Sequence, residues 1–188
     1  MDIYLLRHPP VQNSSGVCYG QTDIALAQDW IKTAKSIQKA LPKNLKIYSS
    51  DLGRCRNVAS YLNDKKVTFD QRLRELNFGI WENKPWKDIP KEDIDAWNRN
   101  LETYIIQNGE SYSQMKARVY EVWKEIISTD EDTLIITHAG VIRALLAHLL
   151  ETSAHATLKL TIKPSSLTKL SYLNHWLEIR YINKVFCE

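Results

Sequence analysis

The chain has 188 residues, about one domain's worth, and its 44% hydrophobic and 25% charged residues can supply a core, which excludes disordered and fibrous classes. Its 25 basic and 22 acidic residues give a net charge of +3 dispersed along the chain, too weak a bias to signal nucleic-acid binding but compatible with a small anionic ligand. The longest strongly apolar run, Val141 to Leu150, is broken by Arg143 and His148, well short of the roughly 20 residues of a membrane span, and Cys18, Cys55 and Cys187 show no C-x-x-C spacing for a disulfide framework or zinc knuckle.

Ile3 to Leu6 reads as a buried parallel strand ending at Arg7-His8-Pro9-Pro10, with no basic flank or cleavage site that would make it a leader, so a cytoplasmic protein is expected. From Leu26 the apolar positions Leu26, Trp30, Ala34, Ile37 and Leu41 fall at helical spacing and close at Pro42. Leu45 to Tyr48 predicts a second strand, and Ser49-Ser50-Asp51 offers cap oxygens to a helix with Leu52, Cys55, Ala59 and Leu62 on one face. Val67 to Phe69 reads as a third short strand. Residues 72–101, rich in Trp, Pro and charges, predict a small, mostly helical insertion within one domain spanning 1–188. Met115, Val119, Val122, Trp123 and Ile126 mark an amphipathic helix opening near Ser111; Leu134-Ile135-Ile136 then leads into Thr137-His138-Ala139-Gly140 and a helix apolar on most sides. Leu167 to Leu173 and Trp176 to Ile182 predict a hairpin or two edge strands about Asn174-His175.

Strands alternating with helices imply a doubly wound α/β fold with a mostly parallel sheet, whose ligands bind beyond the carboxyl ends of the strands. That edge would gather Arg7-His8, Ser49 to Arg54 and Thr137-His138. Two guanidiniums among imidazoles and helix N-termini suit a tetrahedral dianion such as a phosphoryl group. A neutral imidazole there is a nucleophile near pH 7, because neighbouring guanidiniums disfavour its protonated form.

Five segments in order, Leu6-Arg7-His8, Ser49 to Cys55, Leu73 to Glu82, Gly109-Glu110-Ser111 and Thr137 to Arg143, resemble the motifs of the histidine phosphatase superfamily, the phosphoglycerate mutase-like fold. The resemblance implies that His8 accepts the phosphoryl group, that Arg7, Arg54 and His138 bind its non-bridging oxygens, and that Glu75 protonates the leaving alkoxide and then activates water. It implies no cofactor and no metal, since guanidiniums and imidazoles supply the positive charge. The residues alone leave open that Glu75 forms only a surface ion pair with Arg72 or Arg74.

The commonest superfamily loop runs from the His through Gly, Glu and Thr to an Asn; here Pro9, Pro10 and Val11 follow and Ser14 takes the Asn position. Gly16 to Asp23 is instead similar to the loop of the α-ribazole phosphatase branch, which implies phosphate contacts from the Gly20 N–H and the Gln21 amide and a substrate contact from Tyr19. Glu82 and Glu110 are left out of the catalytic set, Glu110 reading as a carboxylate that complements a helix dipole. Among the tryptophans, Trp30 and Trp123 read as core, and Trp81, Trp86 and Trp97 as candidates to touch substrate. The expectation is a phosphomonoesterase for a small phosphorylated metabolite, α-ribazole 5′-phosphate, with no nucleic-acid or membrane partner and homodimerisation open. A phosphatase for another metabolite, a phosphoglycerate-type mutase and a non-catalytic phosphate-binding protein are the alternatives.

Overall fold

The computed structural model describes residues 1–12, 15–62, 67–173 and 176–186. Six strands form one mixed sheet in the order β3-β2-β4-β1-β5-β6: β1 (Asp2–Arg7), β2 (Lys46–Ser49), β3 (Val67–Phe69), β4 (Thr133–Thr137), β5 (Leu167–Leu173) and β6 (Trp176–Lys184). The first four are mutually parallel, and β5 runs antiparallel to both β1 and β6. The expected α/β architecture with a mostly parallel sheet flanked by helices is the one observed. Ser14, Cys187 and the Asn174-His175 pair lie outside the described residues.

The uninterrupted apolar runs of β1 and β4 follow from burial on both faces. Ile3, Leu5 and Ile135 pack with α4 (Tyr112–Ile127) and α5 (Ala139–Leu149), through Met115, Val119, Trp123, Ile142 and Leu145. Tyr4, Leu6, Leu134 and Ile136 point the other way, onto α1 (Trp30–Ala40) and α2 (Gly53–Leu62), against Ile37, Cys55 and Val58. Helix α4 opens with a reciprocal capping box: Ser111 Oγ accepts from the Gln114 N–H at 3.2 Å, and Gln114 Oε1 accepts from the Ser111 N–H at 2.8 Å.

Helix α1 starts four residues later than the apolar spacing predicts. Leu26 belongs instead to an antiparallel bridge with Val11, a pairing that periodicity cannot reveal. Between β3 and α4 the chain makes three short 3-10 turns and one helix, α3 (Lys91–Arg99). A separate apolar cluster of Cys18, Trp81, Ile89 and Ile106, with Phe78 and Trp97 against it, holds this segment together. Trp81, a candidate to touch substrate, is thus buried in that cluster. At the far edge, β6 carries Glu178, Arg180 and Lys184 and two irregularities of register with β5, features that blunt an exposed strand against pairing with another chain. The helix α6 (Ala154–Leu158) packs on α5. Among the described residues no helix is long and apolar enough to cross a membrane.

Candidate active site

Three parallel strands end in register and deliver the expected side chains to one edge. Arg7 lies opposite Thr137, the His8 N–H donates to Thr137 O at 3.0 Å, and the Ser50 N–H donates to Ile136 O at 2.9 Å. The turn before β5 locks the end of β1 from the other side, with the Arg7 N–H on Ser166 O and the Ser165 N–H on Arg7 O, each at 3.1 Å.

His8 is 2% exposed, and its Nδ1 stands 2.7 Å from Pro9 O. A carbonyl oxygen can only accept, so Nδ1 carries the proton and Nε2 keeps its lone pair. Burial, followed by the charge of Arg54 and then of Arg7, pushes the imidazole pKa down to about 3, which the Pro9 carbonyl only partly opposes. The ring is neutral at physiological pH.

Arg54, in the first turn of α2, is 1% exposed. It donates from Nη2 to Gly20 O at 2.6 Å, from Nη1 to Thr22 O at 2.8 Å and from Nε to His138 Nδ1 at 3.3 Å. A guanidinium has five N–H groups, so one on each terminal nitrogen is uncommitted. The bond from Arg54 also fixes the His138 tautomer: Nδ1 accepts, and Nε2–H donates to Ser50 Oγ at 2.9 Å. Burial first, then the Arg54 charge and His8, holds this imidazole well below the ordinary histidine range. The His8 and His138 rings meet edge to face at 5.2 Å between centroids. Arg7 donates from Nη1 to Ile162 O at 2.6 Å, and its buried Nε–H has no partner among the described residues.

Glu75 faces this group across a cleft lined by Arg7, His8, Val17, Tyr19, Gly20, Glu75, Phe78 and Trp86. Its Oε2 accepts from the Gly140 N–H at 3.0 Å, at the N-terminus of α5, and its Oε1 from the Leu76 N–H at 2.9 Å. Position 140 has to be glycine for this contact, because a Cβ there would collide with Glu75 Oε1. The surface ion-pair reading of Glu75 fails: Arg72 pairs with Asp70 and Glu125, and Arg74 with Asp51. Among the described residues no group of three or more His, Cys, Asp or Glu side chains is placed to hold a metal.

The family model of the histidine phosphatase superfamily, branch 1, matches residues 3–185. The chain belongs to that superfamily. A Yersinia pestis relative described as "Probable phosphoglycerate mutase GpmB" is 28% identical over 184 residues, covering 92% of this chain and 85% of that protein. The α-ribazole phosphatase of Shigella flexneri superposes with a TM-score of 0.87 at 23% identity over 100% of both chains. A mycobacterial glucosyl-3-phosphoglycerate phosphatase gives a TM-score of 0.83 at 26% identity, over 97% of this chain and 98% of the other. Membership in the superfamily and the likeness to the mycobacterial phosphatase agree with the enzyme class expected from the sequence.

Of the expected site residues, Arg7, His8, Tyr19, Gly20 and Glu75 line the cleft of this histidine phosphatase, and Arg54 and His138 sit buried beside His8. The Tyr19 ring lies 5.4 Å from the Arg54 guanidinium carbon, within cation–π range. Gln21 departs from its expected place: its Nε2–H donates to Glu75 O at 3.1 Å, and the residue is not part of the cleft wall. Gly20 meets Arg54 through its carbonyl, and its backbone passes so close to Leu76 O that a Cβ would not fit. Trp86 lines the cleft; Trp97 packs behind it, with ring centroids 6.4 Å apart.

Three residues outside the expected set brace this one. Glu110 does not merely face a helix dipole: it takes Arg118 through both oxygens, at 2.6 and 2.9 Å, and accepts from the Asn77 N–H. Arg118 in turn donates to the carbonyls of Arg72, Arg74 and Glu75, tying the Glu75 backbone to α4. Glu82 is the third. Arg118 carries no sequence signal beyond a charge on an amphipathic helix, so only the fold reveals it.

Two buried neutral histidines make stability depend on pH. Both pKa values are depressed on folding, so the unfolded chain binds more protons than the folded one below its histidine pKa near 6.5. Stability is complete above that value and falls as pH drops towards the folded pKa. Between pH 6.5 and 5 the expected slope approaches about 1.4 kcal/mol per pH unit for each histidine. Denaturant titrations across that window should show the slope reduced by one proton in His138→Gln. An unchanged slope would mean that this imidazole is already charged in the folded protein.

Proposed function

We propose that the protein is a metal-independent phosphomonoesterase that works through phosphohistidine, with α-ribazole 5′-phosphate as its substrate in cobalamin nucleotide-loop assembly in the cytoplasm. The observation that carries the chemistry is the state of His8: Nδ1–H is bound to Pro9 O, and Nε2 is left with its lone pair among Arg7, Arg54 and His138. In this reading Nε2 attacks phosphorus and the bond to the ester oxygen breaks. The positive charge arising on the ring is stabilised by the Pro9 carbonyl. Arg7, Arg54 and His138 stabilise the charge on the non-bridging oxygens. Glu75 gives its proton to the departing alkoxide, then takes one from the water that attacks phosphohistidine, releasing phosphate and restoring the neutral imidazole.

The choice of alcohol rests on the cleft wall. Beyond the phosphate groups it is made of Val17, Tyr19, Phe78 and Trp86, surfaces suited to a ribose carrying a benzimidazole, and Arg7 is its only lysine or arginine among the described residues. An acidic leaving group such as glycerate calls for a second cation at that wall. The expected result is a kcat/KM for α-ribazole 5′-phosphate at least about a hundredfold above that for 3-phosphoglycerate, on the order of 3 kcal/mol of differential transition-state binding. Tyr19→Ala should narrow that ratio. The mutase-named relatives favour the other reading. Equal efficiency on the two metabolites, or a preference for phosphoglycerate, would leave the phosphatase chemistry standing and overturn the substrate.

A further inference from the structure

Glu82 is not among the residues that line the cleft, yet four donors from the site loops converge on its carboxylate. Its Oε1 accepts from the Gln21 N–H at 2.7 Å and the Phe78 N–H at 3.1 Å; its Oε2 accepts from the Thr22 N–H at 2.6 Å and the Thr22 hydroxyl at 2.5 Å. The other side of the same loop faces Arg54, which donates to Gly20 O and Thr22 O. Gly20 O and the Gln21 N–H belong to one peptide unit, planar and trans. The guanidinium and the carboxylate therefore grip opposite ends of a single amide, and each polarises it in the sense that strengthens the other bond.

We infer that Glu82 is a positioning residue for the phosphate site: it sets the plane and reach of the Arg54 guanidinium through the 20–21 peptide and Thr22. This rests on the reading of Arg54 as a phosphate ligand. The physical case is one of rotation. A loop peptide with its N–H in water can turn about its flanking bonds, and its carbonyl turns with it. The residue 21 N–H bound to the carboxylate holds Gly20 O directly, and the Thr22 N–H and hydroxyl bound to the same carboxylate hold the residue whose own carbonyl meets the other end of the guanidinium fork. The remaining N–H on each terminal nitrogen is then held in one direction. Gly20 serves the same arrangement, since a Cβ there would also press on Glu82 Oε1 at 2.7 Å.

The test is Glu82→Gln, whose amide nitrogen cannot accept, so that at least one of the two oxygens' sets of bonds is lost. The expected loss in kcat/KM is about tenfold, as for removal of hydrogen bonds to a charged group. It should be equal for nitrophenyl phosphate and an alkyl phosphate, because Arg54 acts on non-bridging oxygens and not on the leaving group. The dissociation constant of inorganic phosphate, measured by calorimetry, should rise by a similar factor. Neither effect should appear when Glu82→Gln is added to Arg54→Lys. Thr22→Val, which removes the hydroxyl's bonds with Glu82 and Asn83 and leaves the backbone donors to Glu82 in place, should show a smaller loss of the same kind and keeps the test open if Glu82→Gln unfolds. A lower Tm with unchanged phosphate affinity and turnover per folded molecule would overturn the inference, as would losses that multiply in the double variant. A loss confined to the alkyl phosphate would also overturn it, by placing the effect at Glu75 through Gln21. Phosphate binding is read without turnover, so a wild-type protein that binds phosphate but hydrolyses nothing would defeat the phosphatase reading and leave this one measurable.

Discussion

His8→Ala is expected to abolish turnover while the protein stays folded. The strand that carries His8 is held by Leu5 and Leu6, which are 1% and 0% exposed, and by the backbone ladders to β4 and β5. Among the described residues the imidazole hydrogen-bonds only to its own neighbour, Pro9 O, so its removal leaves no distant partner there unsatisfied. Wild-type protein given labelled substrate and quenched should carry label that is labile in acid and stable in base, as a phosphoramidate is, and His8→Ala should carry none. Ser50 and Cys55, which both contact His138, are competing nucleophiles. Cys55 is poorly suited, since burial pushes its thiol pKa far up and keeps it protonated. Label found on serine or cysteine would overturn the assignment of His8.

The sheet was legible because its apolar runs are short, β-rich and bounded by polar residues, and because burial on both faces makes them continuous. Where the structure departs from the apolar periodicity, the cause is a non-local contact. Leu26 has the right spacing to begin α1, but its backbone bridges to Val11, and the residues between them and Trp30 follow that bridge and not the helix. The 72–101 segment shows its short helices in outline, but the apolar cluster that organises it joins Cys18 to Ile106 across most of the molecule's first half.

The same division holds at the site. Arg7, His8, Arg54 and His138 could be placed because each follows a strand that ends at one edge of the sheet, a relation that element order alone supplies. Their bracing could not be placed. Gln21 turns its amide to the Glu75 carbonyl, and Glu110 meets Arg118 about two turns into α4, through contacts that depend on where loops of unrelated sequence cross. Gly140 is the intermediate case. Its sequence context flags it, but the reason for glycine, the nearness of the Glu75 carboxylate to the α5 backbone, exists only in three dimensions.

Glu75→Gln is expected to separate proton transfer from phosphate binding. In the phosphorylation step the leaving alkoxide of an ordinary ester needs a proton, whereas nitrophenolate leaves without one. The kcat/KM of an alkyl phosphate, which reports phosphorylation, should therefore fall by roughly the 10² to 10⁴ typical of general acid catalysis, and that of nitrophenyl phosphate much less. Arg54→Ala should depress both. The amide also disturbs the local structure, because its nitrogen faces either the Leu76 or the Gly140 N–H in place of an accepting oxygen. Such a displacement would act on both substrates alike and so cannot imitate the difference between them. The second half of the reaction supplies an independent reading. If the same carboxylate activates the attacking water, Glu75→Gln should transfer one phosphoryl group from nitrophenyl phosphate quickly and then stall, giving a burst of one nitrophenolate per enzyme and an accumulated phosphohistidine. Equal losses on the two substrates, with no burst, would mean that Glu75 holds the phosphate or the loop and that the proton comes from elsewhere.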